Sequence, residues 1–190
     1  MTDPVIEVRL LGPLELLVDG VAVEIPRGRM RTLVAVLALS AGQPVSLGVL
    51  LDRIWGGEPP STGRQVVQNN IWRLRRLLGS EVVATAGDGY LLRVVPEHVD
   101  ALRFTRLLDA ARRGADETYQ MLGEALQLWR GEPLGGVSGG WERDQAAALT
   151  ELYLAGVERR IDLDLAAGRH ADVIVELQRQ TAEQPLRETL

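Results

Sequence analysis

The sequence predicts an α+β chain in two modules, a first half that mixes short strands with helices and a second half made of helices alone. Three observations carry this. Residues 5–25 hold strand-length apolar runs around an Asp-Gly pair. From residue 29 apolar residues recur at helical spacing, and beyond residue 100 that spacing continues almost without interruption. With 190 residues, 46% of them apolar, the chain can bury a sizeable core as one large or two small domains.

Charge divides the chain in the same place. Residues 1–96 carry ten Arg against nine acids, whereas residues 97–190 carry eleven against seventeen. A boundary at Pro96 follows, giving modules 1–96 and 97–190. All 21 basic residues are Arg, whose planar fork suits phosphates and base edges, although a GC-rich genome produces the same bias. There is no cysteine, which excludes disulfides and thiolate chemistry. No apolar run reaches a membrane-spanning length, and the N-terminus lacks a signal-peptide pattern, so the expected address is cytoplasmic, with no membrane partner.

Taken in order, "VIEVRLLG" and "LELLV" have strand-like lengths, and Asp19-Gly20 is a hairpin signal feeding the alternating "VAVEI". An N-terminal antiparallel sheet is expected. "RMRTLVAVLALSAG" places Leu33, Val36, Leu37 and Leu39 at helical spacing before Gly42, and Ser46 is positioned to cap a second helix, "LGVLLDRIWG". After the breaker "GGEPPSTG", Ser61 or Thr62 can cap a third.

That third helix, residues 63–79, carries the strongest functional signal. At 100° per residue, Val67, Ile71, Leu74 and Leu78 form a stripe to be buried. Gln65, Gln68, Asn69, Trp72, Arg73 and Arg76 fall on the opposite side as candidates for base readout, with Arg64 and Arg75 flanking the stripe as candidates for phosphate contacts. From Pro59 to Ser80 there is no Asp or Glu. Gln and Asn pair bidentately with adenine and Arg with guanine, and an α-helix fits the major groove of DNA. A merely solvated helix can present the same residues.

The next segment favours the first reading. "EVVATAGDGYLLRVV" is a strand, a turn at Gly87, Asp88 and Gly89, and a strand returning through Tyr90. Three helices and then a hairpin is the order of a winged helix, whose third helix enters the major groove while the hairpin, the wing, lies over adjacent backbone. Asp88 at the tip opposes deep insertion into a minor groove, leaving wing contacts to the backbone and Thr85. Arg27, Arg29 and Arg31 at the head of the first helix are candidate phosphate clamps. Alternate helix positions do not all face one way, so at least one of the three is expected to be solvated only.

Residues 5–96 resemble the OmpR-type winged helix with its extra N-terminal sheet. Taken with its helical second half, the chain resembles the Streptomyces antibiotic regulatory protein (SARP) family of transcriptional activators. The resemblance rests on the order and spacing of "RLLGPLEL", "RIWGGEPPST", "NNIWRLRRLLG", "GYLLRV", "VDALRFTRLLDAAR", "ALQLWRGEPL" and "QPLRETL". It implies that helix 63–79 reads direct repeats in double-stranded DNA, with two protomers head to tail, a homodimer at least on DNA. It also implies that the loop of Gly57, Glu58, Pro59 and Pro60 faces RNA polymerase and its sigma factor, that the protein is nucleoid-associated, and that its target is a biosynthetic gene cluster. The Trp55 side chain is expected to plug the core beside Leu51.

The second half reads as helices over "DALRFTRLLDAARRG", "DETYQMLGEALQLWRG", "WERDQAAALTELYLAGVERRIDLDLAAG" and "RHADVIVELQRQTAEQ". "GEPLGGVSGG", residues 131–140, reads as a flexible interruption. This half resembles the bacterial transcriptional activator domain, an all-helical module similar to tetratricopeptide repeats, although no strict repeat period is visible. The family pattern continues beyond "QPLRETL", so a truncated stack with some exposed Leu at its end is expected. No catalytic motif occurs: His98 and His170 lie in different modules, and Asp162 and Asp164 face different ways on one helix. No enzyme activity, cofactor or metal is expected. The alternative function is a protein-interaction scaffold acting through the acidic helical half with a degenerate winged helix; the acid-free span 59–80 argues for DNA.

Overall fold

The computed structural model describes residues 4–114 and 117–168. Strands β1 (Ile6–Arg9), β2 (Glu15–Val18) and β3 (Val21–Val23) form an antiparallel sheet in that order. The β2–β3 turn is Asp19-Gly20, with φ of 50° and 77°. Two successive positive φ values make the turn whose twist matches that of the flanking strands, which is why Asp-Gly signalled a hairpin. The Asp19 Oδ1 also accepts from the Val5 amide at 2.9 Å, clipping the chain end to the turn. Ile6 and Val8 turn to the core, whereas β3 is an exposed edge.

Helix α1 (Arg29–Leu39) is less amphipathic than its spacing suggests: Met30 and every residue from Thr32 to Ala38 is buried. It is the central helix of the first module, apolar on nearly all sides because it is covered on nearly all sides. It ends at Leu39 with Ser40 as its cap, before Gly42. Helix α2 (Leu47–Trp55) is capped as expected, Ser46 Oγ accepting from the Val49 amide and Gly56 closing the helix in the left-handed conformation at φ 68°. Helix α3 (Gly63–Leu78) comes next; Thr62 holds its cap position, but without the expected side-chain bond.

Between α1 and α2 lies a strand that the sequence did not announce, β4 (Pro44–Ser46), which pairs with the wing. The wing strands β5 (Val83–Ala86) and β6 (Gly89–Leu92) give a second antiparallel sheet in the order β4-β6-β5. Three residues beginning with Pro carry no readable alternation, and Pro is tolerated there because it starts a strand at a sheet edge. Gly89 is needed for this pairing: a Cβ on it would fall inside van der Waals contact of the Val45 carbonyl and the Ser46 Cα, both backbone. Gly89→Ala is therefore expected to lower stability by about 2 kcal/mol, the usual cost of forcing atoms into a packed site, read as a lower urea midpoint.

In the second half, α4 (Asp100–Arg112), α5 (Thr118–Gln127) and α6 (Trp141–Ala166) pack around Phe104, Leu108, Leu122, Ala125, Leu149, Tyr153 and Val157. Trp129 stacks on Tyr153 with centroids 4.4 Å apart and tilts against Phe104 at 5.9 Å. Leu165, near the end of α6, is 45% exposed; the end of the stack, where exposed Leu is expected, lies outside the described residues. The helix read at "RHADVIVELQRQTAEQ", His170 and "QPLRETL" lie outside the described residues.

The two halves share one continuous apolar core. Asp100, the first residue of α4, reaches back to the first module: its carboxylate accepts from the amides of Leu10 (2.6 Å), Leu11 (3.0 Å) and Ala101 (2.7 Å), with Arg130 Nη2 at 3.7 Å. Burial pushes its carboxyl above the usual range, while the Leu10, Leu11 and Ala101 amides and the Arg130 guanidinium pull the other way.

The Gly-rich stretch 131–140 corrects the reading of a flexible interruption. Its backbone is docked along the first module: Arg130 N donates to Leu11 O, Leu134 N to Leu10 O, Gly135 N to Gly12 O and Leu14 N to Gly135 O. Leu134 is buried at φ 59°, and buried Thr32 on α1 donates its hydroxyl to Ser138 O at 2.7 Å. Glycine here serves close approach of two backbones rather than freedom of one.

Candidate nucleic-acid interface

Helix α3 is held from beneath. Val67, Ile71, Leu74 and Leu78 are buried as the wheel required, joined by Asn70, which periodicity did not single out. Gly63 sets the entry of the helix, since a Cβ there would stand 3.0 Å from Leu51 Cδ2 on α2. With that face fixed, Gln65, Gln68, Asn69, Trp72, Arg73 and Arg76 are all exposed.

Two contacts order this exposed row. Gln65 Nε2 donates to Asn69 Oδ1 at 3.2 Å, one helical turn on. The Arg76 guanidinium lies 4.9 Å from the centre of the Trp72 ring, which is itself 58% exposed. An aromatic face that large outside a core, with a cation laid on it, presents an apolar and a charged recognition element side by side.

The flanking arginines part company. Arg64 is exposed, as a phosphate contact requires. Arg75, expected in the same role, turns inward instead: its Nε donates to Val83 O at 2.7 Å and its Nη2 to Thr85 Oγ1 at 2.8 Å, and it lies 5.9 Å from the Tyr90 ring centre. Its position beside the apolar stripe brings it against the wing, so the fork ties α3 to β5. Thr85 is exposed, and accepting from Arg75 leaves its own hydroxyl proton to donate outward. At the wing tip Gly87, at φ 59°, and Asp88 are exposed, Gly89 is buried under β4 and Tyr90 is half-buried.

Of the three arginines at the head of α1, Arg27 is exposed. Arg29 stacks over the Trp55 ring at 5.0 Å. Arg31 is the one that departs from the expectation of a phosphate clamp: its Nε donates to Ile25 O, and its Nη1 lies 2.7 Å from where a Gly136 Cβ would stand. Trp55 packs partly buried against the core, as expected. Gly57, Glu58, Pro59 and Pro60 are all exposed in the α2–α3 loop.

Among the described residues no group of three His, Asp or Glu side chains could hold a metal ion, and no helix is long and apolar enough to cross a membrane.

The family described as "Transcriptional regulatory protein, C terminal" matches residues 25–92, and the one described as "Bacterial transcriptional activator domain" matches residues 99–190. The chain is 36% identical to the regulatory protein AfsR of Streptomyces coelicolor over 187 residues, covering 95% of this chain and 19% of AfsR. It is 33% identical to the regulatory protein DnrI of Streptomyces peucetius over 201 residues, covering 97% of this chain and 74% of DnrI. In three dimensions it resembles Mycobacterium tuberculosis EmbR, solved in complex with a low affinity phosphopeptide, with a TM-score of 0.86 and 30% identity over 98% of this chain and 52% of that one. These relatives are named as regulators rather than enzymes, and AfsR and the EmbR chain extend well beyond the part that matches. With an OmpR-type module followed by a bacterial transcriptional activator domain, the chain belongs to the Streptomyces antibiotic regulatory protein family of transcriptional regulators.

Proposed function

We propose that the chain is a sequence-specific DNA-binding activator that lays α3 in the major groove of promoter direct repeats and recruits RNA polymerase to a biosynthetic gene cluster. The observation that carries this is the exposed row Gln65, Gln68, Asn69, Trp72, Arg73 and Arg76, on a segment with no acid from Pro59 to Ser80, in a chain of net charge −5. A scaffold under no electrostatic demand has no reason to keep such a face free of carboxylates.

In this reading Arg73 and Arg76 take guanines, Gln65, Gln68 and Asn69 take adenines, and the Trp72 ring lies against thymine methyls. Arg64 and Arg27 neutralise phosphates, and the wing adds Thr85 and its backbone. Arg75 holds the wing at a fixed distance from α3, so both elements meet the duplex as one surface. The loop of Gly57, Glu58, Pro59 and Pro60, on the far end of α2, is left free to meet polymerase and its sigma factor. Two protomers bind head to tail on the repeats, which places the protein on the nucleoid in the cytoplasm.

The test is to select duplexes from a random library with the full chain, then measure affinity for the selected and a scrambled duplex across salt concentrations. A clear preference for the selected duplex is expected, and equal affinity for both overturns the reading. Arg64→Ala is expected to weaken both duplexes alike and make the salt slope shallower by about 0.9, the value of one neutralised phosphate.

A further inference from the structure

The end of α2 that leads into the exposed 57–60 loop does not stand alone. The backbone of the helical module is pressed against it. A Cβ on Gly139 would fall inside van der Waals contact of the Arg53 carbonyl, and a Cβ on Gly56 would stand 3.2 Å from the Gly139 carbonyl. Gly139 holds φ 134°, a conformation suited to glycine. Two residues further, Trp141 opens α6, and the Arg53 guanidinium lies 5.3 Å from its ring centre. Ser138, just before Gly139, is tied to Thr32 on α1 in both directions, accepting at 2.7 Å and donating at 3.4 Å. Val49, Asp52, Arg53, Gly56 and Gly57 thus share a cleft of about 430 Å³ with Gly139, Gly140 and Trp141.

We propose that Gly139 and Trp141 are positioning residues for activation: they brace the C-terminal end of α2 and so set the pose in which the 57–60 loop meets RNA polymerase, without taking part in DNA binding. The inference rests on the reading that this loop faces polymerase. Physical separation supports the division of labour. The DNA-facing row lies along α3 and the wing, whereas the brace touches α2 at its last turn and α1 at Thr32. The brace belongs to the helical module, and whatever tilts α6 at its first residue tilts the platform of the loop. The α2–α3 loop has no sheet or helix of its own to hold it. Its two ends are anchored, Gly63 packed on Leu51 with its amide donating to Pro60 O at 2.8 Å at one and Gly56 packed on Gly139 at the other.

The experiment measures two quantities on the full chain: affinity for a duplex carrying the selected repeats, and run-off transcription by purified bacterial RNA polymerase holoenzyme from a promoter bearing them, at saturating protein. Gly139→Ala and Trp141→Leu are each expected to lower activation by about five-fold, in the range by which substitutions away from a site change its coupling, with duplex affinity unchanged. Thermal unfolding monitors whether each variant is folded. Should Gly139→Ala fail to fold, Trp141→Leu, which keeps an apolar side chain at the start of α6, decides the matter, with Arg53→Ala as the partner substitution on α2. Activation at the wild-type level in the folded variants overturns the proposal, and so does a loss of activation matched by an equal loss of duplex affinity. Glu58→Ala separates the two readings. If it leaves activation intact at full occupancy, the polymerase assignment of the loop fails; if it lowers activation and Trp141→Leu does not, only the brace fails.

Discussion

Asp100→Ala is expected to lower the free energy of unfolding by about 4 kcal/mol, because it strands several buried donors at once rather than deleting one bond. The carboxylate serves three amides, those of Leu10, Leu11 and Ala101, and stands opposite Arg130. Two of those amides belong to the segment leaving β1, 89 and 90 residues away in sequence, so no local rearrangement supplies another acceptor. Each stranded buried donor costs roughly 1–3 kcal/mol, and partial hydration of the resulting gap keeps the total below the sum. For a chain of this size the melting temperature falls by about 10 °C. Asp100→Asn separates charge from shape: its Oδ1 still accepts from Leu10 and Ala101, but its amide nitrogen faces the Leu11 N–H and Arg130, donor against donor, and about half of the loss is expected. Thermal unfolding followed by circular dichroism measures both. A loss below about 1 kcal/mol for Asp100→Ala would remove this residue from the seam.

Arg73→Ala and Arg76→Ala are expected to erase discrimination at one or two base positions each, worth about 1–3 kcal/mol per bidentate pairing. The two differ in how the guanidinium is held. Arg76 rests on the Trp72 face, so Trp72→Ala is expected to relax specificity at the Arg76 position as well as its own, by the roughly 0.5–1 kcal/mol of an exposed cation–π contact. Replacing each thymine of the selected site by uracil removes only the methyl group and reports the Trp72 contact directly. Affinities for a panel of singly substituted duplexes make the assignment. Variants that weaken every duplex by the same factor would show these side chains to be phosphate contacts or none.

How legible this was depends on which forces set each element. The buried stripe of α3 and its polar opposite face came directly from periodicity, because a 16-residue helix with one covered side leaves that imprint in its residues. The Asp19-Gly20 turn and the Ser46 cap were equally readable, each being chemistry within four residues. What escaped was long-range. The strand β4 exists because β6 accepts it, not because "PVS" prefers to be extended. Arg75 and Arg31 looked like free cations, since nothing local tells a wheel that Val83 O or Ile25 O waits within reach. Nothing local in the sequence marks Asp100, whose amide partners Leu10 and Leu11 lie 90 and 89 residues away. The stretch 131–140 was misread for the most physical of reasons: six glycines and serines in ten residues signal a mobile chain, and also a backbone slim enough to lie against another.

That last stretch bears on how the protein can be taken apart and rebuilt. Because the join between residues 10–14 and 130–135 is made from main-chain groups, its register fixes the count of residues along it, while the buried Leu10, Leu11, Leu14 and Leu134 and the close-packed Gly135 fix residue identity there. One residue inserted between Arg130 and Gly135 would offset the ladder and swing Leu134 out of its pocket. Chimeras cut at residue 96 therefore sever a bonded unit, and those that exchange both strands of the join together keep it whole.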